Sequence, residues 1–236
     1  HSFPTRRSSD LVYNRSNITQ CIICLDRANQ NLCMNCHEAL PRLNHACPCC
    51  AEPNHHGHIC GACLSKPPAF DQVISSFLLL PPITSMILKW KEQPKHLGTE
   101  LLINELNEHL KGYQFDAVTY VPYHWRRLLK RGRHPVRLLA DEIATEQNLP
   151  LINTLKRVQH QHTQKGLNRK QRQQNLKGVF QSIPKAIPAI NGQNLLLVDD
   201  VLTTGATCHQ IARLLKSAGA NSVSVACLAR TPLSQI

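Results

Sequence analysis

Aromatic residues are scarce: Phe, Tyr and Trp make up 5% of the chain. A platform that stacks successive bases of a single strand needs more, and only Tyr123 and Trp125 interleave with the basic run around them. Long apolar runs are missing too. The longest, Val73 to Leu88, is broken by Ser75, Ser76, Pro81 and Pro82, so it does not read as a bilayer span. There is no GxxxxGK[ST] loop, which excludes a P-loop nucleotide triphosphatase. Acids are few, 15 against 27 Lys and Arg, and the net charge is +12. That excess suits an anionic ligand or partner. No secretory signal is visible, so the expected setting is cytoplasmic, where a disulfide scaffold has no support.

What remains is 236 residues, 42% of them apolar, enough for one or two domains with a sizeable core. Residues 1–19 show no convincing period and read as a non-native or disordered leader, outside the fold argument. Two domains are expected after it, 20–66 and 67–236.

The first is defined by cysteine. Nine of the 11 cysteines precede residue 64, and eight form four CxxC pairs: Cys21/Cys24, Cys33/Cys36, Cys47/Cys50 and Cys60/Cys63. A CxxC turn points two thiolates at one ion, and two turns complete a tetrahedral zinc. Eight residues separate Cys24 from Cys33 and nine separate Cys50 from Cys60, an internal repeat that predicts two stacked ribbons and two structural zinc ions. A redox CxxC would appear once, beside a strand and a helix. Sequential rather than cross-braced pairing is expected, because it closes smaller loops. His55, His56 and His58 read as a polar loop, and Cys49 is a spare thiol inside the third pair.

Beyond Pro67 and Pro68 the pattern becomes globular. Helices are expected at Ile83, Ile87, Leu88 and Trp90, at Leu97 to Leu110, around Val136 to Ala144, and at Ile211 to Leu215, the last stopping at Gly219. Strands are expected at 117–121, 151–155, 195–198 and 223–228. Strands alternating with helices predict an α/β fold, a mostly parallel sheet with helices on both faces. The region 68–111 is expected to form hood or linker helices. Cys208 and Cys227 read as core thiols and His209 as a surface helix residue.

The densest chemistry lies from Leu195 to Thr207. An apolar strand ends in Asp199-Asp200, and Val201-Leu202-Thr203-Thr204-Gly205-Ala206-Thr207 opens a helix. Ligands of open α/β sheets bind beyond the carboxyl ends of the strands. Two carboxylates accept ribose hydroxyls, threonine hydroxyls and a helix N-terminus favour a phosphate, and Gly205 permits close approach. This segment resembles the PRPP (phosphoribosyl pyrophosphate) motif of type I phosphoribosyltransferases. In that resemblance Asp199 and Asp200 hold the ribose 2′ and 3′ hydroxyls and Thr203 to Thr207 hold the 5′-phosphate.

Four CxxC turns before such a domain resemble the ComF family (the ComFC and GntX group). Phe70-Asp71 and Leu88-Lys89-Trp90 are similar to its linker and first helix. Val121-Pro122, Arg126, Arg127, Arg131, Gly132 and Arg133 are similar to its pyrophosphate and Mg²⁺ region. Gln164, Arg172 and Asn175 are similar to its mobile loop. The resemblance covers about residues 21 to 231. It implies a zinc-containing, PRPP-binding protein that takes magnesium with PRPP and acts in DNA uptake during natural transformation. Its implied partners are single-stranded DNA and DNA-processing proteins. Two other readings stay open: an active phosphoribosyltransferase on an unidentified acceptor, and a nucleic-acid-binding zinc module with a PRPP-sensing, non-catalytic domain. One departure stands out. Where the family usually reads Arg-Gly-Phe-Asn-Gln, this chain has Arg131-Gly132-Arg133-His134-Pro135, and Pro lacks the backbone N–H, so impaired turnover is expected.

Charge is local. From Val121 to Gly178 there are 13 Lys or Arg and three acids, +10 of the total +12. The cationic run flanks the ligand motif rather than the cysteines. It suits a pyrophosphate cradle or a nucleic-acid backbone.

Overall fold

Cysteine spacing and strand periodicity divide the chain into a small metal-loop unit and a larger sheet unit. A computed structural model describes residues 19–29, 31–93, 98–123, 132–158 and 179–233. Two compact units emerge, His1–Ala39 and Leu40–Ile236.

In the first unit, β1 (Thr19–Gln20) pairs antiparallel with β2 (Arg27–Ala28), and α1 (Met34–Glu38) follows. Its buried apolar residues, among those described, are Cys21, Ala28 and Leu32. So little apolar surface cannot offset the chain entropy of ordering the segment, and the cysteine ligands must supply the rest.

The second unit begins with the other cysteine loops and α2 (Gly61–Ser65). It continues into a four-stranded parallel sheet of order β3 (Gln72–Leu78), β8 (Ser222–Arg230), β7 (Asn194–Leu202) and β4 (Ala117–Tyr120). Leu195 to Val198 are fully buried, as expected of a central strand covered on both faces. Leu195 and Leu197 share a cluster with Ile211, Ala212 and Leu215 of α6 (Ala206–Ser217). Leu196 and Val198 alternate to the other face. There α4 (Thr99–Leu110) packs on β3 and β8, and α5 (Pro135–Glu146) packs on β4 and β7. Between β3 and α4 runs α3 (Ile83–Glu92).

The expected helices form, with some differences. Leu88 and Leu138 are exposed, and the buried face of α3 is Ile83, Met86, Ile87 and Trp90. Residues 72–78, which carry no strand expectation, form β3: Val73 to Phe77 are all buried, Ser75 and Ser76 included, because β8 pairs along the strand and α4 packs on it. The strand expected at 151–155 is only a single bridge, Leu151 to Val118. Thr154 instead turns inward to bond Thr119 at 2.7 Å, and β5 (Leu155–Arg157) pairs with β6 (Phe180–Ser182) in a separate antiparallel ribbon. No helix among the described residues is long and apolar enough to cross a membrane.

Candidate functional site

The cysteines form two tetrads in sequential pairing: Cys21, Cys24, Cys33 and Cys36, then Cys47, Cys50, Cys60 and Cys63. Within each, the four sulfurs lie within 4.8 Å of one another. A tetrahedral zinc with Zn–S of about 2.3 Å sets its sulfurs about 3.8 Å apart. Cys24 and Cys33 are at 3.7 Å and Cys50 and Cys60 at 3.6 Å. Backbone N–H groups support the sulfurs: Cys36 donates to Cys33 Sγ and Cys60 donates to Cys47 Sγ. Burial alone would raise the Cys21 thiol, but the N–H groups of Cys24, Cys33 and Ile23 outweigh it and bring it down to about 6. Cys47 comes down to about 7 by the same balance. Both tetrads therefore fit a zinc ion. His55, His56 and His58 stay outside them in an exposed loop held by Asn54.

The second site sits at the carboxyl end of β7. Alternation along the strand sends its two acids to different surroundings. Asp199 turns inward: Oδ1 accepts the Asp200 N–H at 2.9 Å and Oδ2 accepts the Cys208 thiol at 3.8 Å. Desolvation first, and then the charge of Asp200, push its carboxyl up to about 8. Asp200 accepts the Tyr123 hydroxyl at 3.1 Å on Oδ2, and Lys91 Nζ lies 3.0 Å from the same oxygen. The two carboxyls thus have different partners: Asp199 faces the Cys208 thiol, and Asp200 faces Tyr123 and Lys91.

The loop beyond it is shaped for a backbone approach. Gly205 is the N-cap of α6 with φ of 71°, and a Cβ there would meet the Phe70 ring at 3.5 Å. Thr204 Oγ1 accepts the Ala206 N–H at 3.4 Å. Thr203 is exposed and Thr207 is half-buried, while the Leu202 side chain belongs to the core. The twelve-residue α6 directs its N-terminus at this loop.

His134 and Pro135 do something the sequence did not reveal. Pro135 opens α5, where an N–H would have no intrahelical partner. His134 is the N-cap: Nδ1 faces the Arg137 N–H at 3.1 Å and Nε2 faces the Tyr123 N–H at 3.0 Å. Its ring stacks on Tyr123 at 4.5 Å between centroids. Burial, then Arg137, hold His134 down at about 4, so the ring stays neutral, with one acceptor nitrogen that takes one of these two N–H groups at a time. The departure from the family pattern therefore positions Tyr123, and through it Asp200.

Gly132 is exposed, and Arg133 is half-buried with its Nε unpartnered among the described residues. Arg126, Arg127, Arg131, Gln164, Arg172 and Asn175 lie outside the described residues. His209 is not a free surface residue: it is half-buried, and its Nδ1 accepts the Ala69 N–H at 3.0 Å. Cys208 and Cys227 are fully buried core thiols. Lys91 and Tyr123 are partners of Asp200 that no local motif announces, and His134 lies behind Tyr123. They come from α3, the segment after β4 and the residue that caps α5.

Comparison with known proteins matches this geometry. Residues 9–64 fit the double zinc ribbon domain and residues 128–235 the phosphoribosyl transferase domain. Competence protein F of Haemophilus influenzae is 30% identical over 222 residues, which cover 89% of this chain and 96% of that protein. The chain belongs to the competence protein F family. Another relative in this family is DNA utilization protein YhgH of Escherichia coli K12, 31% identical over 221 residues and covering 95% of that protein. Among solved structures, a purine phosphoribosyltransferase from Pyrococcus horikoshii aligns with a TM-score of 0.39 at 20% identity, over 63% of this chain and 79% of that one. Within the family, this member carries its two cysteine tetrads and its strand-end acid pair in one chain.

Proposed function

We propose that this protein binds PRPP, with magnesium, at the carboxyl end of β7, and acts in the uptake or use of DNA as the names of its relatives indicate. The observation that carries the ligand assignment is the arrangement of Asp199-Asp200 directly before a glycine-capped helix N-terminus. A sugar phosphate needs acceptors for vicinal hydroxyls on one side and N–H donors for a phosphate on the other, about one ribose apart. In this reading Asp200 exchanges its Lys91 or Tyr123 contact for a ribose hydroxyl. Asp199 accepts the neighbouring one. Thr203, Thr204, Gly205, Ala206 and Thr207 cradle the 5′-phosphate. Val201 and Leu202 carry the backbone from the acids into that loop. The family resemblance gives Gly132 and Arg133, with Arg126, Arg127 and Arg131, to the pyrophosphate and its magnesium. It gives Gln164, Arg172 and Asn175 to the family's mobile loop. The process assignment rests on the relatives alone, and cytoplasmic action alongside single-stranded DNA and DNA-processing proteins follows from it.

Calorimetric titration of PRPP and Mg²⁺ into zinc-loaded protein tests the site. Micromolar binding, about −8 kcal/mol, is expected for the wild type. Asp199→Asn with Asp200→Asn should abolish it while circular dichroism shows an intact fold. No binding by folded wild type rejects the reading.

A further inference from the structure

Arg230 ends β8, and its side chain is 3% exposed. A buried guanidinium needs acceptors for its five N–H groups. Here they come from two functional places. Nε donates to the Cys50 carbonyl at 3.0 Å, and Nη2 pairs with Glu52 Oε2 at 2.8 Å. Cys50 is a ligand of the second tetrad, so Arg230 grips the metal knuckle itself. Nη1 donates to the Leu202 carbonyl at 3.1 Å and to the carbonyls of Thr203 and Thr231. Leu202 and Thr203 are the strand end and first loop residue of the acid-pair site. Glu52 closes the arrangement by accepting the Leu233 N–H at 2.9 Å.

An apolar path runs beside the polar one. Ala51, the residue after Cys50, is buried in the same cluster as Phe70, Leu202 and Cys208. Phe70 in turn lies against Gly205, the cap of α6. Ala51 has φ of 54°, a left-handed backbone that a β-carbon resists. The Cys47 to Cys50 turn ends beside it, and the Ala51 N–H donates to the Cys47 carbonyl at 2.8 Å.

We propose that Arg230 is a positioning residue which couples the second cysteine tetrad to the 203–207 loop, so that zinc at the tetrad and a sugar phosphate at the loop each strengthen the binding of the other. The ligand half of the proposal rests on the PRPP reading. The physical reason is geometric. The guanidinium is planar and rigid, so the Cys50 and Thr203 carbonyls cannot move independently while both remain bonded to it. An unfastened knuckle frees the Cys50 carbonyl, and the loop then loses one wall of its mould. Linkage is reciprocal, and a coupling of this kind changes affinity by roughly 5- to 150-fold.

The test follows zinc release from full-length protein to a chromophoric chelator, with and without saturating PRPP and Mg²⁺. One of the two zinc ions should leave about tenfold more slowly when PRPP is bound. Glu52→Gln and Arg230→Lys should shrink that ratio toward one while PRPP binding persists in calorimetry. A purely structural Arg230 would lower the melting temperature of the variant and leave the ratio unchanged. A second measurement needs no PRPP: amide exchange of residues 203–207 should quicken on chelation and do so less in Arg230→Lys. Unchanged release rates with PRPP bound, or loop exchange indifferent to chelation, overturn the coupling. If wild type binds no PRPP but its loop responds to chelation, the ligand assignment fails and the coupling between tetrad and loop stands.

Discussion

Asp199 and Asp200 are neighbours in the chain with different partners, and for Asp199 this sets the response to pH. The Asp199 carboxyl lies against Cys208, with its acid pushed up to about 8 by burial and the charge of Asp200. A group whose folded pKa is raised contributes stability that is full below its unfolded pKa, near 4, and lost as pH rises through the folded value. Asp199→Asn removes that loss. The variant should therefore melt at a higher temperature than wild type at pH 8, with a gap that widens from about pH 4 to pH 8 and then levels. The same variant should lose PRPP affinity. Stability gained with binding lost is what a strained ligand site gives. Thermal melts across that pH range decide it; a gap independent of pH would mean Asp199 is ionised in the folded protein. His134 shows how a residue can carry a role no motif announces. Read from sequence it replaces an amide side chain, and read in place it caps α5 and stacks on Tyr123.

Helix α6 shows what determines an element and its ends. Ile211 and Leu215 face the sheet as the helical period predicts, joined by Ala212, while Leu214 is only partly buried. Its end was legible too, in Gly219. There φ is 100°, and an added Cβ would come within 2.4 Å of Asn191 Oδ1. Gly219→Ala should cost about 1–2 kcal/mol, combining backbone strain with the displaced Asn191, and should be readable as a lower denaturation midpoint at unchanged slope. A stabilised variant would show that Asn191 yields freely. Strand β3 was not legible. It shows no alternation of apolar with polar residues, because Val73 to Phe77 are all buried, Ser75 and Ser76 included. Such a run reads equally as a core strand or a helix segment, and pairing with β8 is what decides it. The β5–β6 ribbon was hidden for a different reason: its partners are far apart in sequence and only three residues long each.

At the scale of the whole molecule, metal and apolar burial divide the work of folding. The His1–Ala39 unit has three buried apolar residues among those described, so its order depends on its tetrad, which contributes on the order of 10 kcal/mol. The Leu40–Ile236 unit has a core of aliphatic strands and helices that needs no ion to exclude water. Chelation should erase amide protection across Cys21 to Glu38 and leave protection in β7 and β8 intact, as hydrogen exchange would report. Loss of protection in both would mean the sheet also folds only with metal. The cationic run between Val121 and Gly178 belongs to this scale as well, since ten of the twelve excess positive charges lie there. It gives the molecule a long-range field toward anions rather than a fold.

Local chemistry was enough to mark the four CxxC turns, the strand-end acids, the glycine-capped loop and the alternation of strands with helices, while the structure groups the turns sequentially into two tetrads. Each depends on residues a few positions apart, whose spacing is itself the geometry. The tertiary structure alone decided which partners each acid has, that His134 lies against Tyr123, and that Arg230 spans Cys50 and Thr203. Those contacts join residues up to 180 positions apart. No spacing rule encodes them, because desolvation and hydrogen bonding at such a distance exist only once the sheet has closed.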